Sequence, residues 1–196
     1  MLAECSLSFQ ALYHVEMLTA EERQRALSLL ERSRGVLLDA VNGVTENQAR
    51  WRPSPEKWCI LEYVEHLALA DDELVAMVQR SLQQPAAPET PEQRRAREQK
   101  IRETPMPRGA NRAPHSMAPD GRFQTLQDAV AAFLAARERS IAFTRETTDD
   151  IRSHFASHTV LGALDGYQWL MGNGRHAETH AAHIRELRQM SEFPAA

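Results

Sequence analysis

Four long stretches of the chain repeat their apolar residues every three to four positions, and none alternates apolar with polar residues over the length of a strand. That periodicity predicts an all-α fold. The first stretch opens at Thr19, whose hydroxyl can cap a helix while Glu22 reaches back to the cap amide; Leu27, Leu30, Val36 to Leu38 and Val41 then recur before Gly43, giving a helix over about residues 20–42. Thr45 and Gln48 repeat the capping logic for a short turn, and Ser54–Pro55 reads as the cap and first turn of a second helix. In that helix Leu61, Val64, Leu67, Leu74, Met77 and Val78 keep the helical period as far as about Gln83, with His66 in the middle. A third helix opens at Thr125 with Asp128 as capping partner and carries Val130, Phe133, Leu134, Ile141 and Phe143 to Thr147. After a loop through His154 and His158, a fourth runs from near Asp165 through Tyr167, Trp169, Leu170, His176, His180, Ile184 and Leu187 to about Ser191. Gly172 and Gly174 inside it predict a local bulge or the close approach of another helix. Four apolar stripes must bury against one another, so the architecture expected is a four-helix bundle with a long Pro-rich crossover between helices two and three.

That crossover, residues 84–121, holds seven of the ten prolines and a run of basic residues from Arg94 to Arg102. It is expected to be an accessory, peripheral arm that edges the site or contacts a second subunit, with residues 91–103 able to form one solvated helix. Leu7, Leu12, Tyr13, Val15 and Leu18 provide enough apolar surface for residues 1–18 to dock as a helical arm or pair with another subunit. The 196 residues suit a single domain, with its core over about residues 20–190. Lys and Arg number 23 against 27 Asp and Glu, so the basic excess that nucleic acid demands is missing. The apolar runs fall well short of the roughly 20 residues that cross a bilayer, and no signal-peptide pattern opens the chain. A cytoplasmic protein with no membrane partner is expected. Two cysteines, Cys5 and Cys59, cannot build a disulfide framework or a four-thiolate zinc site.

Chemistry concentrates in the eight histidines: His14, His66, His115, His154, His158, His176, His180 and His183. His176 and His180, four residues apart, lie on one helix face and can bind the same cation, although such a pair is commonly just solvated surface. Here they share a stripe with Ile184 and Leu187, which turns them inward, where an unpartnered ring costs about 1–3 kcal/mol. His66 on helix two, taken alone, reads as a core histidine donating to a backbone carbonyl. Taken with the other two it completes a three-histidine set that leaves coordination positions open, the pattern of catalytic zinc, nickel, iron or manganese sites.

Three segments carry a family resemblance. Trp51-Arg52-Pro53 followed by Trp58-Cys59-Ile60-Leu61-Glu62-Tyr63-Val64-Glu65-His66-Leu67, the stretch Leu161 to Leu170, and His176-Ala177-Glu178-Thr179-His180-Ala181-Ala182-His183-Ile184 together resemble the DinB-like, or YfiT-like, superfamily of four-helix-bundle metalloproteins. The resemblance covers about residues 20–190. It implies a divalent metal on His66, His176 and His180, a small-molecule substrate, and thiol-dependent S-transfer of the bacterial type using a low-molecular-weight thiol such as bacillithiol or mycothiol. A metal-dependent hydrolase fits the same residues, because a bound cation lowers the pKa of water as well as of a thiol. The rival class is a non-catalytic bundle that binds metal or dimerises.

His183 stands where the family usually has Gln; it is a candidate acid–base group, a fourth ligand, a donor behind the ligands or a helix-end residue. His158 is a second catalytic candidate if it overhangs the pocket, and otherwise, like His154, a loop residue. Asp71 and Asp72 read either as carboxylates behind the ligands or as exposed helix charges. Trp51, Trp58 and Trp169 read as core or pocket-wall aromatics, and Cys59 as a buried inert thiol.

Overall fold

The computed structural model describes residues 17–104 and 113–195. In chain order it contains α1 (Ala20–Val41), α2 (Glu46–Arg50), α3 (Ile60–Ser81), α4 (Pro91–Glu103), α5 (Leu126–Glu146), β1 (Phe155–His158), β2 (Gly162–Asp165) and α6 (Gly166–Arg188). The N-terminal arm expected from Leu7 to Val15 lies outside the described residues; Leu18, at its end, is buried.

The long helices α1, α3, α5 and α6 are the four predicted from periodicity. Reciprocal capping boxes at Thr19–Glu22, Thr45–Gln48, Thr90–Gln93 and Asp165–Gln168 start α1, α2, α4 and α6. The start of α3 differs from expectation. Ser54 and Pro55 form a turn, with the Lys57 amide donating to the Ser54 carbonyl at 3.1 Å, and the helix begins five residues later at Ile60. The physical reason is the residue three places on. Lys57 cannot accept an amide proton, whereas the Glu62 carboxylate accepts the Cys59 N–H at 2.9 Å.

In the bundle α1 and α3 each pack against both α5 and α6, so the first two long helices face one another across a diagonal. The apolar core forms two clusters, one around Leu37, Ile60, Leu67, Phe133 and Ile184, the other around Ala26, Leu74, Val78, Ile151 and Leu170. A polar layer separates them. Asp71 and Arg137, both fully buried, pair through Nε at 3.1 Å and Nη2 at 2.7 Å, and Ser33, Ser140 and Asn173 complete the network from α1, α5 and α6.

Two further expectations need correction, and a third resolves to one of its two alternatives. The segment between α5 and α6, expected as a loop, is a two-stranded antiparallel hairpin that pairs Phe155 with Asp165 and His158 with Gly162. Four residues per strand are too few to show alternation. Its turn closes on His158, whose Nδ1 accepts the Val160 and Leu161 amides at 3.1 Å each. Helix α6 runs unbroken past Gly172 and Gly174, without a bulge. Gly174 marks close helix approach instead, since a Cβ there would lie 2.6 Å from Leu29 Cγ of α1.

The crossover is not wholly peripheral either. Helix α4 buries none of its residues, in keeping with its polar sequence, but Arg97 pairs with Glu89 and with Asp165 at 2.9 Å, and the buried Arg152 pairs with the same Asp165 at 2.5 Å. Further on, Met117 is buried among Ala70 and Leu74. An apolar side chain and one well-placed carbonyl are enough to draw a Pro-rich strand of chain into the core.

Candidate metal centre

Helices α3 and α6 lie side by side and bring His66, His176 and His180 together. His66 is buried; His176 and His180 are partly buried. His176 Nε2 lies 3.0 Å from His66 Nε2 and 2.9 Å from His180 Nε2, and the three ligand-capable nitrogens all fall within 4.8 Å of one another.

The proton count at this point decides what the cluster can hold. His66 donates its Nδ1–H to the Met117 carbonyl at 2.7 Å, so its Nε2 carries a bare lone pair facing the other two rings. A neutral His176 has one ring proton at most on Nε2 and cannot donate it to both neighbours. His180 Nδ1 is buried and has no partner among the described residues. Burial, then the charges of neighbouring imidazoles, push the pKa of His176 down to about 3 and of His180 down to about 2; burial also lowers His66, against a smaller raising effect of the Met117 carbonyl. In every neutral tautomer one of the two contacts is left without a proton, and three neutral imidazoles so placed form a donor set that fits a divalent cation of the zinc type.

Aromatic rings wall the cluster. Trp58 lies 4.9 Å from the His66 ring and 6.2 Å from His180, and Tyr63 lies 5.2 Å from His180. The other two tryptophans stand elsewhere: Trp51 meets Phe193 edge-on, and Trp169 donates its indole N–H to the Ala156 carbonyl beneath the hairpin.

His183 lies outside the converging set. Its ring is 5.5 Å from His180 and 5.8 Å from Tyr63, and its buried Nδ1 has no partner among the described residues. His158 sits at the end of β1 with its ring 5.5 Å from Trp169, and acceptance of two amides at Nδ1 leaves its proton on Nε2. His154 hydrogen-bonds the Ser81 carbonyl at 3.2 Å through Nδ1. Asp71 is the partner of Arg137, and Asp72 is exposed and paired with Arg139; neither stands behind the histidines. Cys59 is buried, and burial pushes its thiol pKa up, away from a reactive thiolate.

Sequence reasoning missed Met117, Glu65 and Arg137. Met117 acts through its carbonyl, which leaves no side-chain signal. Arg137 did leave one: it falls four residues after Phe133 and four before Ile141, a charge inside an apolar stripe.

A four-helix bundle whose neighbouring helices aim three histidine nitrogens at one point defines a class, the helical bundles built around a candidate metal-ion site. Residues 29–184 match the family model of the DinB superfamily, and the chain belongs to that superfamily. Its fold is similar to that of YfiT from Bacillus subtilis, described as a probable metal-dependent hydrolase with an unusual four-helix bundle topology, with a TM-score of 0.59 and 18% identity over 89% of this chain and 90% of that one. No curated protein gives a significant sequence match. Among the described residues no helix is long and apolar enough to cross a membrane.

Proposed function

We propose that this chain is a metal-dependent hydrolase of small molecules, in which His66, His176 and His180 hold a divalent cation: zinc, nickel, iron or manganese. The observation that carries the reading is the approach of His176 Nε2 to within 3.0 Å of His66 Nε2 and 2.9 Å of His180 Nε2, two contacts that neutral rings cannot both close with a proton. A cation held there supplies Lewis acidity and lowers the pKa of a coordinated water or thiol.

The remaining work falls to the chain's own groups. The Met117 carbonyl orients His66. Trp58 and Tyr63 form an apolar wall that excludes bulk water on one side and offers a flat surface to substrate. His183, with an unpartnered buried Nδ1, is the group assigned to proton transfer, and His158 presents an Nε2–H donor from the hairpin. The name of the YfiT relative supports hydrolysis over the thiol-dependent transfer that the sequence resemblance implies.

The test is metal analysis of the purified chain, followed by turnover of an ester and amide panel with and without an added low-molecular-weight thiol. Metal at one equivalent, lost in His180→Ala, and turnover without thiol are the expected results. Turnover that requires the thiol would replace hydrolysis by group transfer; full metal binding by His180→Ala would overturn the ligand assignment.

A further inference from the structure

Adjacent residues of α3 grip the same returning arm of the crossover. His66 Nδ1 donates to the Met117 carbonyl at 2.7 Å. Glu65, only 1% exposed, projects about 100° round the helix from it, and its Oε1 accepts the backbone N–H groups of Asp120 at 2.9 Å, Gly121 at 3.0 Å and Arg122 at 3.2 Å. Three successive amides can converge on one oxygen because Gly121 sits at φ +80°, a conformation that curls the backbone into an anion-binding nest and that side chains resist. From outside, the Asp120 carboxylate closes the turn by accepting Arg122 Nε at 3.0 Å and Nη2 at 2.7 Å.

Only Ala118 and Pro119 separate the two grips, and the proline ring fixes its own φ. A shift of the Asp120–Arg122 turn is therefore transmitted to Met117. The Met117 carbonyl in turn decides which His66 nitrogen keeps the proton. Glu65 Oε2 is buried without a hydrogen-bond partner among the described residues, so all the hydrogen bonds seen on this carboxylate go through Oε1 to the arm.

We propose that Glu65 is a positioning residue for the three-histidine centre: by holding the Asp120–Arg122 turn it keeps the Met117 carbonyl on His66 Nδ1, leaving Nε2 bare and aimed at His176 and His180. The proposal rests on the metal reading above and deepens it, making the crossover arm a working part of the site.

The experiment compares Glu65→Ala, Glu65→Gln and Gly121→Ala with Ile141→Ala, a core truncation on α5 that serves as a control for lost stability. Co²⁺ affinity by chelator competition, the Co²⁺ d–d spectrum, and the ¹⁵N ring shifts of His66 in metal-free protein are read for each. Glu65→Ala is expected to weaken Co²⁺ about 10–100-fold, to shift the d–d bands and to let His66 populate the Nε2–H tautomer. Glu65→Gln, which keeps an amide-accepting oxygen, stays within about threefold of the parent; Gly121→Ala, which strains the nest without touching α3, falls between them. Ile141→Ala leaves all three readouts unchanged. Native Co²⁺ affinity with an Nδ1–H tautomer in Glu65→Ala would overturn the proposal, as would an equal loss of affinity in Ile141→Ala. A parent chain that takes up no Co²⁺ would sink the metal reading instead, and the His66 tautomer in metal-free protein would then still decide the role of Glu65.

Discussion

Replacing Asp71 by Leu leaves the Arg137 guanidinium fully buried with its counter-charge gone. The carboxylate accepts Arg137 Nε and Nη2 at 3.1 and 2.7 Å, Ser140 Oγ at 2.7 Å and Asn173 Nδ2 at 2.9 Å, so four helix-borne donors lose their acceptor together. What remains for Arg137 is the Leu30 carbonyl at 3.2 Å, the Ser33 hydroxyl at 2.5 Å, two long contacts of 3.5 Å to the Asn173 carbonyl and Oδ1, and the face of Phe133 at 5.2 Å, all of them uncharged. Breaking a buried pair on one side costs about 3–5 kcal/mol, a large share of the roughly 5–15 kcal/mol that holds a domain together. For a chain of this length that corresponds to a fall of about 6–20 °C in Tm. Urea unfolding followed by circular dichroism measures the loss directly, through a lowered midpoint at unchanged slope. The double variant Asp71→Leu with Arg137→Met removes both charges and fills the volume with apolar atoms, and it is expected to be more stable than either single variant. A loss under about 1 kcal/mol for Asp71→Leu, or a double variant no better than the worse single one, would refute the account of a desolvated pair that depends on both partners.

Two further outcomes follow from the site. His183→Gln, which restores the residue usual in DinB-like chains, should keep metal content and lower turnover about 100-fold or more, the contribution of a positioned proton-transfer group; unchanged turnover would remove His183 from the mechanism. The metal-free protein should lose stability as the pH falls from about 6.5 to 5, because the unfolded histidines take up protons at their ordinary pKa near 6.5 while the folded His176 and His180, held at about 3 and 2, refuse them. Calorimetry across that window, which lies above the range of ordinary carboxylates, would contradict this by showing a flat or rising Tm.

Local chemistry made much of the fold legible. Thr19, Thr45 and Thr125 cap helices where their spacing to Glu22, Gln48 and Asp128 says they should, and each apolar stripe holds residues that the bundle buries, such as Leu30, Leu67, Phe133 and Ile184, beside others, such as Leu27, Met77, Val130 and Phe143, that it buries only in part. The false start at Ser54 shows the limit of a cap judged by its first two residues, since the residue three places on decides it. The His-x-x-x-His spacing on α6 and the histidine on α3 were readable for the same reason that helices are, because a regular period fixes which residues share a face.

What the chain order could not reveal is which faces meet. Periodicity predicts four stripes, and only the packed bundle sets α3 beside α6, so that His66 reaches His176, and sets α1 across the diagonal from α3. The Asp71–Arg137 pair, the Met117 carbonyl on His66 and the Glu65 nest join residues 66, 51 and 55 or more positions apart. Local sequence determines helices because their hydrogen bonds close within four residues; a buried charge, a backbone acceptor or a tautomer depends on what the fold brings within 3 Å, and only the tertiary structure decides that.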